Sequence, residues 1–198
     1  DRLYCDAQAS AERRSAQTAL SIILKELTQL IAPILVFTAD EIWSYLPEAL
    51  RDEESVHLST WEELPSEYRD KGLEEKWDAL LQARRVVAKA LGIARTEKLI
   101  GSSNEASVTI YASDQVLNAL RALERELPML FIVSTVELKP WVERPGLGAH
   151  VDEEDEIAVT VVEAQGGKCD RCWRYSETVG QFEEHPDLCQ RCHTVVSR

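Results

Sequence analysis

The sequence predicts an α+β fold, mainly helical, built in three successive parts. Three observations carry this. Apolar residues recur at spacings of three and four through residues 10–45 and again through 73–99, the period of helices with one buried face. Alternation in ASVTIYA and in EIAVTVVEA has the period of strands. Four of the five cysteines gather in two close pairs near the C-terminal end, which sets off a short tail of its own kind. The expected parts are residues 1–72, a piece of a helical bundle with its connection; residues 73–165, a small α+β module; and residues 166–198, the cysteine-rich tail.

In the first part Ala16, Leu20, Ile23, Leu27, Leu30 and Ile31 define the buried face of a helix that Ser10 caps and Pro33 ends, since proline lacks the N–H and clashes with the preceding turn. Thr38 and Glu41 have the spacing of a capping box in front of a short helix, EIWSYL, closed by Pro47. The two helices should pack together. Residues 47–72 carry charges and prolines with no sustained period and read as a structured connection. A long helix over 73–99 follows, with Leu73, Trp77, Leu80, Leu81, Val87, Leu91 and Ala94 on one face. Next come a strand in ASVTIYA, a helix in DQVLNALRALERELP, a strand in LFIVSTVEL and another in EIAVTVVEA. That order makes a module with its helices against one sheet.

Composition narrows the function. A net charge of -13 excludes indiscriminate attraction to nucleic acid, so any such binding has to be local. The exception to the acidity is residues 84–98, where Arg84, Arg85, Lys89, Arg95 and Lys98 face the single acid Glu97. They fit either the steering of a phosphate backbone or an ordinary solvated helix face. The longest apolar run, residues 30–37, is far shorter than a bilayer span and contains Pro33, and no signal segment opens the chain, so no membrane and a cytoplasmic setting are expected. The start at Asp1, with no initiator methionine, leads to the expectation that this is a piece of a longer protein. No heptad asks for a partner chain, so a monomer is expected.

Cys169-x2-Cys172-x16-Cys189-x2-Cys192 is the spacing of a structural zinc site, in which each close pair forms a turn aiming two thiolates at one ion. Four soft thiolates suit zinc. A tail this short has too little apolar content to fold alone, so the metal would supply the folding free energy. His185 and His193 are alternative ligands, but the four cysteines already complete a tetrahedral shell, which also argues against a catalytic zinc. No thioredoxin-like pattern surrounds the pairs, so a redox role is weaker still. Cys5 stands alone and is expected to be inert.

Beside these ligands Arg171, Trp173, Arg174 and Arg191 interleave guanidinium groups with an aromatic face. That combination suits unpaired nucleotides, because aromatic rings stack on bases and arginine pairs with phosphates or base edges. Trp173 would equally serve as an apolar lid over the metal turn.

The helical text RRSAQTAL followed by LIAPILVFTADEIWSYLP resembles the anticodon-binding helical domain of class I aminoacyl-tRNA synthetases. LQARRVVAKALGIARTEKLIGSS and the tail, KCDRCWRYSETVG through HPDLCQRC, resemble the C-terminal part of the bacterial-type isoleucyl-tRNA synthetases. The tail is also similar to the finger of the formamidopyrimidine DNA glycosylases. The synthetase resemblance implies structural zinc on Cys169, Cys172, Cys189 and Cys192, contacts from Arg171 and Trp173 to the anticodon loop of isoleucine tRNA, and weaker candidates in Arg13 and Arg14. It further implies catalytic and editing domains on the same polypeptide. The His-x-Gly-His and Lys-Met-Ser-Lys-Ser motifs of such enzymes are not in this sequence. ATP and Mg are therefore expected only for a catalytic body elsewhere, and this chain alone is expected to be inactive. Two rival readings are a DNA glycosylase fragment and a zinc-stabilised protein-interaction module that would use the acidic run 152–156.

Overall fold

A computed structural model describes residues 1–197, which divide into two compact units, residues 1–69 and 70–197. The first unit holds α1 (Arg2–Cys5), α2 (Ala11–Ile31) and α3 (Val36–Tyr45). As expected, Ser10 caps α2, its hydroxyl accepting from the Arg13 N–H at 3.2 Å, and Pro33 lies just past the helix end. The capping box is not there. α3 begins at Val36, one turn earlier than Thr38 and Glu41 indicate, with Leu35 at its N-cap and no side-chain cap. The reason lies in the backbone: residues 32–35 keep turning across Pro33, and the Leu35 carbonyl already accepts from the Ala39 N–H at 2.8 Å. Leu46 is extended before Pro47, as the residue preceding a proline prefers, and this closes α3.

Packing in this unit also corrects the sequence reading. The core is small, Ala32, Ala39, Trp43, Leu46 and Val56 with Ile31 against it. Trp43 is fully buried and its indole N–H donates to the Glu53 carbonyl at 2.9 Å. On α2 the buried side chains are Thr28 and Gln29, and Gln29 donates to Ser59 and to the Thr60 carbonyl, tying down the connection. The leucine face expected to be buried is exposed: Leu20, Ile23, Leu27 and Leu30 are about half accessible. Period identifies which face is apolar, and nothing in it says that the same chain supplies the cover.

The second unit is organised by α4 (Lys71–Thr96), with Asp70 capping it by accepting from the Leu73 N–H. Leu80, Ala83, Val86, Val87, Ala90, Leu91 and Ala94 bury their side chains, whereas Leu73, Trp77 and Leu81, assigned to the same face from the sequence, are exposed. β1 (Ala106–Ala112), α5 (Asp114–Arg121), α6 (Leu127–Phe131), β2 (Thr135–Pro140), β3 (His150–Asp152) and β4 (Ile157–Glu163) complete the module. The sheet order is β2-β1-β4-β3, with β1 and β2 parallel and the other pairs antiparallel. A parallel neighbour needs a crossover, and α5 with α6 provides it. Val108, Ile110, Ile157 and Val159 point into the core that α4, α5 and α6 cover. Ser107, Thr109 and Glu137 lie on the more polar opposite face.

The strand expected in LFIVSTVEL starts late, because residues 127–131 form α6 instead. Pro128 sits in the first turn of that helix, where its missing N–H costs nothing. Ile132 then turns the chain in the left-handed region, φ 59°, so that Leu127, Phe131 and Val133 all reach the core. Tertiary burial has overridden the β preference of Leu-Phe-Ile-Val.

The tail forms a hairpin of β5 (Gly167–Lys168) and β6 (Tyr175–Ser176) and then α7 (Gln190–Val196). Gly166 permits it. Its φ is +93°, and a Cβ there would lie 2.3 Å from the Ser176 backbone.

Candidate metal centre and nucleic-acid interface

Each close cysteine pair sits on its own small device. Between β5 and β6 the Cys169 N–H donates to the Arg174 carbonyl at 2.9 Å and the Trp173 N–H to the Cys169 carbonyl at 2.8 Å, a tight turn that carries Cys169 and Cys172. Cys189 is the N-cap of α7 and Cys192 lies in its first turn, where the Thr178 hydroxyl accepts from the Gln190 N–H at 2.9 Å. The two devices are joined by the Asp170 N–H donating to the Asp187 carbonyl at 3.1 Å.

The result is convergence of all four expected ligands. The sulfurs of Cys169, Cys172, Cys189 and Cys192 lie within 4.8 Å of one another, three of the cysteines buried and Cys172 partly so. Cys172 Sγ and Cys189 Sγ are 3.7 Å apart, far beyond a disulfide bond. It is close to the edge of about 3.8 Å expected of a tetrahedron with Zn–S bonds of about 2.3 Å. Hydrogen bonds from Cys172, and then Cys192, hold Cys189 well below the usual thiol range, and the same contact with Cys189 pushes Cys172 up. A closed set of four sulfurs at this spacing fits structural zinc, with no position left for a substrate.

The histidines take another role. His193 stacks on Phe182 with ring centroids 4.1 Å apart and His185 meets His193 edge-on at 5.6 Å, so both belong to the packing beside the cluster.

Trp173 is 62% exposed and has φ +64°, a left-handed backbone that a bulky residue rarely adopts. A lid over the metal turn would be buried. Arg171 is partly buried, its Nη1 3.7 Å from Cys192 Sγ. Arg174 and Arg191 line a groove of about 600 Å³ that also borders Cys172, Cys189, Tyr175 and Gln190. Sequence reasoning missed Ser134, which fastens the knuckle to the module: its hydroxyl accepts from the Tyr175 N–H at 2.7 Å and donates to the Asn104 carbonyl. A serine at the head of a strand carries no pattern that would have revealed it.

Comparison with known proteins bears on this arrangement. The family described as the anticodon-binding domain of tRNA ligase matches residues 1–110, more than half of the chain. The chain belongs to that anticodon-binding family. A second family, the zinc finger found in FPG and IleRS, matches residues 166–195 and so covers all four cysteines. Among curated relatives, the isoleucine–tRNA ligase of Moorella thermoacetica is 46% identical over 197 residues, covering 99% of this chain. Those of Thermoanaerobacter sp. (strain X514) and Kosmotoga olearia are 44% and 45% identical, each over the whole chain. The chain spans 21% of the length of each of these relatives. The finger is shared with FPG, so the tail by itself does not separate a DNA glycosylase from a tRNA ligase. The anticodon-binding match over the helical residues does, against the glycosylase.

In this anticodon-binding chain the basic helix stretch is divided. Arg84, Arg85 and Arg95 line a groove of about 440 Å³ on α4 together with Leu91, Phe131 and Ile132. Arg85 also pairs with Asp155 at 3.7 Å, and the acidic run 152–156 is anchored through Asp155, which accepts from Gln82 as well. Lys98 lies apart, exposed at the residue after the C-cap of α4 with φ 61°. There the N–H groups of Lys98 and Leu99 reach back to the Arg95 and Ala94 carbonyls at 3.1 and 2.9 Å, a Schellman-type ending. No described helix is long and apolar enough to cross a membrane.

Proposed function

We propose that this chain recognises the anticodon loop of isoleucine tRNA as part of an isoleucine–tRNA ligase, and that a zinc ion on Cys169, Cys172, Cys189 and Cys192 shapes the reading surface. The observation that carries the reading is the presentation of Trp173, an exposed indole set in left-handed backbone immediately after a metal-ligand cysteine. Backbone strain of this kind persists where surrounding structure enforces it, and it clusters at functional sites. The metal-locked turn supplies that enforcement. An unpaired base stacking on such a face gains about 1–3 kcal/mol, enough to matter on a chain whose net charge is -13. Arg174 and Arg191 in the neighbouring groove supply cations for the RNA backbone, and Arg84 and Arg85 on α4 supply a second, weaker basic surface. Activation of isoleucine with ATP and Mg belongs, in this reading, to other parts of the same polypeptide. The setting is the cytoplasm and the chain acts as a monomer.

The reading is tested by measuring the affinity of the zinc-loaded chain for isoleucine tRNA with and without Trp173→Ala. A loss of roughly 5- to 150-fold is expected, the equivalent of one stacked base. Equal affinity of the two proteins would contradict it.

A further inference from the structure

The expectation for Arg171, from its guanidinium beside an aromatic face and from the synthetase resemblance, is a contact to RNA. Its guanidinium is turned instead toward the metal cluster, Nη1 lying 3.7 Å from Cys192 Sγ, within range of an N–H···S hydrogen bond. Cys192 is fully buried and sits on the far device of the knuckle, across the cluster from the turn that carries Arg171. The side chain therefore spans the cluster from one ligand-bearing turn to the other.

Charge gives that geometry a purpose. A divalent ion held by four thiolates keeps a net negative charge, and Cys169, Cys189 and Cys192 hold it out of water. Buried charge is costly unless it is paired and hydrogen-bonded. Arginine is suited to the task because it stays protonated, carries several donors in a rigid fork and is weakly hydrated. Hydrogen bonds to ligand atoms from the surrounding shell also fix ligand orientation, and their loss typically lowers metal affinity about 10- to 100-fold.

We propose that Arg171 is a positioning residue of the metal centre: its guanidinium donates to the Cys192 thiolate, and its influence on RNA binding passes through metal retention rather than through direct contact. The RNA half of this statement rests on the function proposed above, whereas the metal half stands without it.

The test uses the whole chain and its Arg171→Gln and Arg171→Lys variants. Zinc affinity is measured by competition with a chromophoric chelator, and affinity for isoleucine tRNA is measured at limiting and at saturating zinc. Arg171→Gln is expected to bind zinc about 10- to 100-fold more weakly, with Arg171→Lys recovering part of the loss. Its tRNA binding should be weak at limiting zinc and return to within about twofold of the parent at saturation. The conservative Arg171→Lys variant keeps the test open should Arg171→Gln leave the tail unfolded. Zinc affinities of both variants within twofold of the parent would overturn the proposal, as would a tRNA defect that persists with the metal site filled. If the parent binds no tRNA at all, the functional reading fails and the chelator competition still decides the role of Arg171.

Discussion

At the scale of single residues, Trp173 and Lys98 occupy the same unusual backbone region for different reasons. Lys98 takes it to end a helix, with two backbone hydrogen bonds repaying the conformation locally. Trp173 takes it inside a turn whose shape the cluster dictates, and it places the indole in solvent. Glycine at position 173 would adopt φ +64° without steric cost, whereas alanine would keep most of it. Trp173→Gly should therefore bind zinc at least as tightly as the parent, and Trp173→Ala no more tightly than Trp173→Gly. Both should lose the same roughly 5- to 150-fold in tRNA affinity. Chelator competition and tRNA binding on the same samples check this. A tRNA defect in Trp173→Ala that Trp173→Gly repairs would mean that the turn, not the ring, is what RNA needs. The cysteines were legible because their chemistry depends on spacing. The left-handed φ of Trp173 was not, because nothing in C-W-R separates a strained turn from a relaxed one.

At the scale of elements, the tail depends on a close backbone approach as well as on its cysteines. The β5–β6 hairpin passes Gly166 so closely to Ser176 that a methyl group would overlap its backbone at 2.3 Å. Gly166→Ala should therefore open the hairpin, costing at least about 1–3 kcal/mol and weakening zinc binding in proportion, while the sheet of β1, β2 and β4 stays intact. Chelator competition measures the first effect and far-ultraviolet circular dichroism the second; unchanged zinc affinity would show that the hairpin is not part of the metal site. Element types were readable where one periodicity ran long, as in α2, α4, β1 and β4. They were not readable at α6, where the placement of Phe131 and Val133 in the core outweighed a local β preference. Nor did the pattern reveal which apolar stripes find cover. Leu80 and Val87 do, while Leu27 and Leu73 do not, because that depends on neighbours distant in sequence.

At the scale of the molecule, the second unit couples a conventional apolar core to a knuckle whose core is an ion. Among the described residues, Val179 and Leu188 are the partly buried apolar side chains that pack with the cysteines. Such a tail should unfold on chelation while the α4–sheet module persists. Acid should act in the same direction as chelation. The ligands bind metal as thiolates and protons compete with the ion for them, so the metal-dependent stability is present at neutral pH and is lost as falling pH protonates the sulfurs. Zinc release followed by a colorimetric indicator should rise monotonically as pH is lowered from 7 toward 4, together with loss of tail order. Retention of both at pH 4 would contradict a tetrathiolate site. The most direct measurement of the central claim is the affinity of the zinc-loaded chain for isoleucine tRNA and for the same tRNA carrying another anticodon, repeated after chelation. The account predicts anticodon-dependent binding that disappears with the metal; equal binding of both tRNAs, or discrimination that survives chelation, would contradict it.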